Sequence, residues 1–148
     1  MPHHFLLIDA RFYADIADEL VKGAAAELDA RGATHERISV PGVLELPAAL
    51  SFVLEMDDAD RFDGFVLLGC VIRGETSHYD IVANESAKAI MTMAVDFGLA
   101  LGNGILTVEN RAQAWARARV GEKNKGGAAA AAAFQMAELR ETLGLSNE

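Results

Sequence analysis

The sequence of 148 residues contains a single cysteine, Cys70. One thiol excludes a disulfide within the chain and a zinc site built from several cysteines, because both need at least two. No apolar run approaches the roughly 20 residues with which a helix spans a bilayer. The first residues lack the basic and apolar regions of a signal peptide. These absences predict a cytoplasmic protein without a membrane partner.

Positive charge is also scarce, with 13 Lys and Arg against 22 Asp and Glu and a net charge of −9 at pH 7. The acidic residues are spread along the chain, and a diffuse negative field repels nucleic acid. We therefore expect no nucleic-acid partner. Hydrophobic residues make up 51% of the chain, which is ample for a core. The composition predicts one domain over residues 1–148.

Apolar runs and helical periodicities alternate along the chain. They predict strands at 5–9, 34–40, 65–70 and 103–108, and helices at 15–31, 45–55, 80–97, 111–118 and 128–143. The repeated order of strand and helix is typical of an α/β fold with a parallel sheet and helices on both faces. Asp80 is expected to cap the third helix. Residues 121–127 are expected to form a basic turn, and the six alanines at 128–133 a packing face, with a second subunit as one partner for it.

The segment most informative about function is 64–80, where an apolar run ends at an arginine, a glycine, two hydroxyl residues and His78. Such a run is typical of a strand buried on both faces of a parallel sheet, and ligands bind at the carboxyl ends of these strands. His78 is therefore expected on a loop at a functional site. A lone loop histidine is more often a surface group, so the residues alone leave both interpretations open. His3, His4 and His35 have no such context and are expected to be solvated.

Other side chains near the predicted strand ends each have an ordinary interpretation. Phe12 is by itself a core aromatic, and Glu45 a charge that complements a helix dipole. Cys70 is expected to be a small core residue without nucleophilic character. The hydroxyl residues around Thr76 are a weak signal for an anion site. Arg117 alone is an exposed charge, so only the combination of these residues is informative.

Four segments together resemble the lumazine synthase family, which forms 6,7-dimethyl-8-ribityllumazine in riboflavin biosynthesis. They are Val-Pro-Gly-Val-Leu-Glu-Leu-Pro at 40–47, Gly-Cys-Val-Ile-Arg-Gly-Glu-Thr-Ser-His-Tyr-Asp at 69–80, Val-Ala-Asn-Glu-Ser-Ala-Lys at 82–88 and Asn-Lys-Gly at 124–126. The resemblance extends from Arg11 to the last helix. It implies a flavodoxin-like three-layer sandwich around a four-stranded parallel sheet.

The resemblance implies a transferase that condenses 5-amino-6-(D-ribitylamino)uracil with 3,4-dihydroxy-2-butanone 4-phosphate, with neither a metal nor an organic cofactor. It implies two catalytic residues, His78 as a proton shuttle and Arg117 as the cation that holds the phosphate. The implied substrate-binding residues are Phe12, Val43, Leu44, Glu45, Cys70, Val71, Ile72, Glu75, Thr76, Asn103, Arg117 and Lys125.

Three of these residues depart from the family pattern, and one is Leu44, which replaces a frequent aromatic. Glu75 stands where a small residue is usual, and Asn103 replaces a phenylalanine common beside the pocket. The departures leave open a catalytically weak relative that carries flavin or lumazine. The retention of His78, Arg117 and Lys125 favours the enzyme. An unrelated flavodoxin-like phosphoester enzyme is disfavoured, because no acidic nucleophile or metal cluster follows the first strand.

The resemblance also implies an assembly of identical subunits. In this family each site lies between neighbouring subunits of a pentamer, with Phe12, Glu45 and His78 from one chain and Arg117 from the next. Some members combine pentamers into a 60-subunit shell. The segment 119–126 departs from the family at Gly121 and lies where pentamers meet. We therefore expect an isolated pentamer, with the shell as the alternative.

Overall fold

The computed structural model describes residues 2–145. Its strands are β1 (His4–Ala10), β2 (Thr34–Val40), β3 (Gly64–Ile72) and β4 (Leu101–Val108). Its helices are α1 (Ala14–Ala30), α2 (Leu46–Leu54), α3 (His78–Phe97), α4 (Arg111–Ala118) and α5 (Lys125–Thr142), and short 3-10 turns occupy Val43–Glu45 and Ala59–Arg61. No helix among these residues is long and apolar enough to cross a membrane.

The four strands form one parallel sheet in the order β2-β1-β3-β4. β3 is apolar throughout and nearly all of it is buried, because helices cover both faces of the sheet. One hydrophobic cluster joins the sheet to α1, α4 and α5, and the other joins it to α2 and α3. The predicted α/β class with a four-stranded parallel sheet is confirmed, and the topology is flavodoxin-like.

The helix α3 begins earlier than the sequence predicts. Asp80 is not its cap, because the backbone N–H of Asp80 already donates to the carbonyl of Ser77 at 3.0 Å. Ser77 is at the N-cap, so Asp80 lies in the first turn. His78 is consequently the first residue of a helix and does not lie on a loop. The helix ends as predicted at Gly98, which adopts a left-handed conformation.

The helix α5 also begins earlier, at Lys125, which corrects the predicted turn at 121–127. Asn124 adopts φ 45°, and its side-chain oxygen accepts from the N–H of Gly127 at 3.2 Å. An asparagine tolerates this left-handed conformation, so it can cap the helix before the two glycines. The alanine face packs within the chain, because Ala129, Ala130 and Ala133 are buried in the core beside α1.

The expectation of solvated histidines was also wrong for His3 and His4, which are partly buried. His4 is partly buried and contacts Thr34 Oγ1 and Glu36 Oε2, each at 2.7 Å. His3 lies between two carboxylates, and His35 contacts Asp29 Oδ1 at 3.0 Å. Since His3 and His4 lie at the amino end of the sheet, on and beside the first residue of β1, they are remote from its carboxyl end.

Candidate active site

A cavity of about 420 Å³ opens at the carboxyl ends of β1, β2 and β3. The residues that follow these three strands form its walls, because parallel strands deliver their connecting loops to the same edge of the sheet. The predicted site residues that line it are Phe12, Val43, Leu44, Glu45, Cys70, Val71, Ile72, Thr76 and His78.

Phe12 forms one wall of this cavity. The ring is 73% exposed, so the core interpretation of this aromatic was wrong. Its neighbour Tyr13 packs edge-on against it, with ring centroids 4.9 Å apart. An exposed aromatic face held over an open cavity is suited to stacking on a flat heterocycle.

The 3-10 turn Val43–Glu45 forms another part of the cavity wall. Val43 anchors the turn because its side chain is buried, whereas Leu44 and Glu45 are exposed. The backbone N–H of Glu45 donates to the carbonyl of Gly42 at 3.1 Å. A Cβ on Gly42 would lie 3.1 Å from Glu45 Oε1, so a glycine leaves this carboxylate room beside the turn. The turn therefore brings one exposed carboxylate acceptor, that of Glu45, to the cavity.

The floor is the end of β3, from Cys70 to Ile72. Burial raises the pKa of the Cys70 thiol to about 12, with a smaller opposing effect from Arg111. A thiol with this pKa is protonated at neutral pH and is a poor nucleophile. Cys70 therefore contributes shape and backbone groups to the cavity, as the sequence predicted.

His78 lines the cavity from the first turn of α3. Its backbone N–H donates to Thr76 Oγ1 at 3.3 Å, which ties the turn to the helix start. The amino end of a helix carries partial positive charge and free N–H groups, so this turn is suited to an anion. Glu75 is exposed and does not line the cavity. An imidazole thus lies beside a turn that is suited to an anion.

Tyr79 and Val82 also line the cavity, and sequence reasoning missed both. Arg73 stacks on Tyr79, with its Cζ 4.2 Å from the ring centroid, and its Nε donates to Glu109 at 2.8 Å. The arginine therefore joins the ends of β3 and β4 to the first turn of α3. Val82 lies four residues after His78 on the same helix face, and this spacing was the signal that could have found it.

Three predicted site residues, Asn103, Arg117 and Lys125, lie elsewhere. They line a second cavity of about 370 Å³ between β4, which is an edge strand, and the helices α4 and α5. Arg117 Nη1 donates to the carbonyl of Gln113 at 3.1 Å, and Lys125 is exposed at the start of α5. Asn103 Oδ1 accepts from the N–H of Ile105 at 2.9 Å, which leaves the amide donors of Asn103 available. This cavity has cationic and donor groups but no predicted proton shuttle.

Comparison with known proteins agrees with the family resemblance over nearly the whole chain. The family model for 6,7-dimethyl-8-ribityllumazine synthase matches residues 2–141. The chain is 59% identical to 6,7-dimethyl-8-ribityllumazine synthase 1 of Rhizobium meliloti (strain 1021), covering 97% of this chain and 95% of that protein. It is 56% identical to the 6,7-dimethyl-8-ribityllumazine synthase of Agrobacterium fabrum, covering 95% and 97% of the two chains. The enzyme of that name from Sphingopyxis alaskensis is 52% identical, with coverage of 96% and 98%.

Proposed function

This chain belongs to the 6,7-dimethyl-8-ribityllumazine synthase family and is a transferase of riboflavin biosynthesis, and we propose that its two cavities are two halves of one active site. The reaction joins 5-amino-6-(D-ribitylamino)uracil to 3,4-dihydroxy-2-butanone 4-phosphate. The observation that carries the proposal is the separation of His78 from Arg117, which line different cavities of the same chain. Each cavity holds part of the required chemistry, so a neighbouring copy completes the site.

The first cavity binds the pyrimidine in this proposal. Phe12 stacks on the ring, and the backbone at the end of β3 recognises the uracil edge. Glu45 accepts hydrogen bonds from the ribityl hydroxyls, since an ionised carboxylate is an acceptor with several lone pairs. The stacking alone contributes about 1 kcal/mol beyond the burial of the ring.

The phosphorylated substrate lies between the anion-binding turn and the neighbouring subunit. Its phosphate meets Thr76 and the amino end of α3 from one chain and Arg117 from the next. A guanidinium makes charge-assisted hydrogen bonds to phosphate that are about twice as strong as neutral ones. Asn103 and Lys125 reach the same site from the neighbour. Glu75 is exposed and does not line the cavity, so in this proposal it takes no part in holding the phosphate.

His78 moves protons during the condensation. The 5-amino group attacks the ketone and water leaves to give an imine, after which the phosphate is eliminated. The ribitylamino nitrogen then attacks the remaining carbonyl carbon, and a second water leaves as the ring closes. Each step transfers a proton, and an imidazole can accept and release protons near neutral pH. Holding both substrates face to face supplies much of the acceleration, because the reaction then becomes effectively unimolecular.

A ring of identical subunits accounts for both cavities. In a head-to-tail ring each chain presents one surface to one neighbour and a different surface to the other. The first cavity therefore meets the second cavity of the next chain at every joint. The helix α3 supports this arrangement, because Ile81, Met91 and Val95 are more than half exposed along it. We propose a pentamer, and sedimentation distinguishes five copies of the 15.8 kDa chain, about 79 kDa, from a shell of sixty, about 950 kDa.

Subunit complementation tests the shared site. His78→Ala and Arg117→Ala are purified separately, then unfolded, mixed and refolded together. Random mixing leaves about a quarter of the joints with both native side chains, so lumazine formation should recover to about a quarter of the native rate. The matched control mixes His78→Ala with the double variant, in which no joint holds both side chains. Recovery equal to that of the control would contradict a site shared between subunits.

A direct assay separates the enzyme from a carrier. Lumazine absorbance should grow when the native protein receives both substrates, whereas a carrier binds added lumazine without forming it. The independence from metal and organic cofactors, the cytoplasmic location and the single-domain organisation stay predictions.

A further inference from the structure

Asp9 is the one ionisable side chain that is completely buried among residues 2–145. It lies near the end of β1, three residues before Phe12, and it does not line either cavity. Burying a carboxylate is costly unless it is paired and hydrogen-bonded. A buried charge so close to a site wall therefore calls for a physical explanation.

Both carboxylate oxygens of Asp9 are occupied. Arg37 on β2 binds in bidentate fashion, with Nε 2.9 Å from Oδ1 and Nη2 3.0 Å from Oδ2. The hydroxyl of Ser39 donates to Oδ1 at 2.7 Å. Burial by itself raises the pKa of Asp9, but the hydrogen bonds from Arg37 and Ser39 outweigh it and hold the pKa below its usual value. Asp9 is therefore a stable anion.

The same carboxylate reaches the loop between β1 and α1. Arg11 Nη1 lies 3.4 Å from Asp9 Oδ2 and also donates to Asp18 on α1. The backbone N–H of Arg11 donates to the carbonyl of Val40 at 2.8 Å. Val40 is the last residue of β2, just before the turn that carries Glu45. Arg11 is thus fixed by its backbone and by its side chain.

Phe12 depends on its flanking residues for its position. The loop contains only residues 11–13, and the single ring contact described for Phe12 is the edge-on packing with Tyr13. On the other side Arg11 is held by Asp9 and Asp18. Because the Phe12 ring is 73% exposed, packing against the core does not orient it.

We propose that Asp9 is a positioning residue, which acts through Arg11 to hold the Phe12 loop in the geometry that receives the pyrimidine. The inference rests on the proposed function, in which Phe12 stacks on that ring. Preorganisation of a binding loop lowers the entropy lost when the substrate binds, so its loss weakens binding more than it slows the chemical steps.

Two variants test the proposal. Asp9→Asn places an amide donor against the donors of Arg37 and Arg11. Arg11→Met removes the side-chain bonds of Arg11 to both Asp9 and Asp18, and it leaves Asp9 paired with Arg37 and Ser39, so it should fold even if Asp9→Asn does not. We expect either variant to raise KM for the pyrimidine by about three- to tenfold and to change kcat by less than about twofold. Hydrogen exchange at the amides of residues 12 and 13 should become faster.

Glu36→Gln is the matched control. Glu36 lies on β2 towards the opposite end of the sheet, and Arg61 binds it in the same bidentate fashion, with both distances 3.0 Å. We expect this variant to keep the native KM and the native exchange at residues 12 and 13. A general loss of stability would instead affect all three variants alike.

Phe12→Ala separates the two hypotheses. We expect it to raise KM for the pyrimidine by about fivefold or more. If Phe12→Ala leaves KM unchanged, the role of Phe12 in the proposed function is wrong, while faster loop exchange in both Asp9→Asn and Arg11→Met still supports the role of Asp9 and Arg11 in holding the loop. If Phe12→Ala raises KM but Arg11→Met changes neither KM nor exchange, the inference about Asp9 is overturned and the proposed function stands.

Discussion

Gly126 on α5 lies against the carbonyl oxygen of Leu20 on α1, so close that a Cβ on Gly126 would stand 2.1 Å from that oxygen. Real Cβ atoms do not approach backbone oxygen to this distance, so the two helices contact each other through backbone. The second cavity includes Lys125, the residue before Gly126. The close packing of these helices therefore sets where one wall of that cavity stands.

Gly126→Ala should destabilise the protein. Alanine ordinarily favours a helix over glycine, but here the added methyl group forces α1 and α5 apart, and overpacking costs about 1–3 kcal/mol. The free energy of unfolding, measured with denaturant, should fall by about that amount. Gly121→Ala is the control, because a Cβ there meets nothing within 4 Å. Equal stabilities of the two variants would show that the helices can separate freely.

His78→Ala should slow turnover and leave pyrimidine affinity nearly unchanged. General acid–base groups contribute about a hundredfold or more, and water can replace part of this, so we expect kcat to fall by roughly ten- to a hundredfold. KM for the pyrimidine should change by less than about twofold, because the proposed function assigns that binding to Phe12 and Glu45. His35→Ala is the control, since His35 contacts Asp29 on the surface. Native kcat in His78→Ala would remove this residue from the mechanism.

Arg117→Ala should weaken the use of the phosphorylated substrate. Hydrogen bonds to charged groups contribute about 1.5–3 kcal/mol, so KM for that substrate should rise by about ten- to a hundredfold. KM for the pyrimidine should stay near its native value. Arg119→Ala is the control, because Arg119 pairs with Glu122 at 3.0 Å and lines neither cavity. An unaltered KM for the phosphorylated substrate would contradict the assignment.

Glu36→Gln should make the stability of the fold less sensitive to acidification between pH 4.5 and 2. Hydrogen bonds from Arg61 and His4 lower the pKa of Glu36 from 4.5 to about 2. A carboxyl group whose folded pKa is depressed stabilises the fold above pH 4.5, and this stabilisation disappears as the pH falls towards 2. The variant should therefore unfold at a lower temperature than the native protein at neutral pH, and the difference should shrink between pH 4.5 and 2. The effect is modest because the ion pair is partly exposed.

Glu138→Gln on the exposed side of α5 is the control for this measurement. It removes one negative charge as well, so it matches the change in net charge. The role of the ion pair would be contradicted if the unfolding temperatures of the native protein and Glu36→Gln differed by the same amount at neutral pH and at pH 2.

Several elements follow directly from local sequence. The strand β2 and the helix α4 have the predicted bounds, since alternation and a bounded helical pattern are local properties. The starts of α3 and α5 were wrong, because each depends on a capping geometry. Asn124 takes a left-handed conformation that no periodicity reveals. Tyr79 was missed as a wall residue. Its ring is stacked under Arg73, and a residue pattern does not show such a contact.

The sequence by itself determined the α/β class, the family and most of the residues at the carboxyl end of the sheet. Strand periodicity and the motifs at 40–47 and 69–80 each consist of consecutive residues, so they can be recognised without the structure. Only the tertiary structure decided which groups surround each of the two cavities and that Asp9 is paired with Arg37 and Arg11 next to the Phe12 loop. These relationships arise where separate strands and helices meet. Their distances depend on packing between segments that are far apart along the chain.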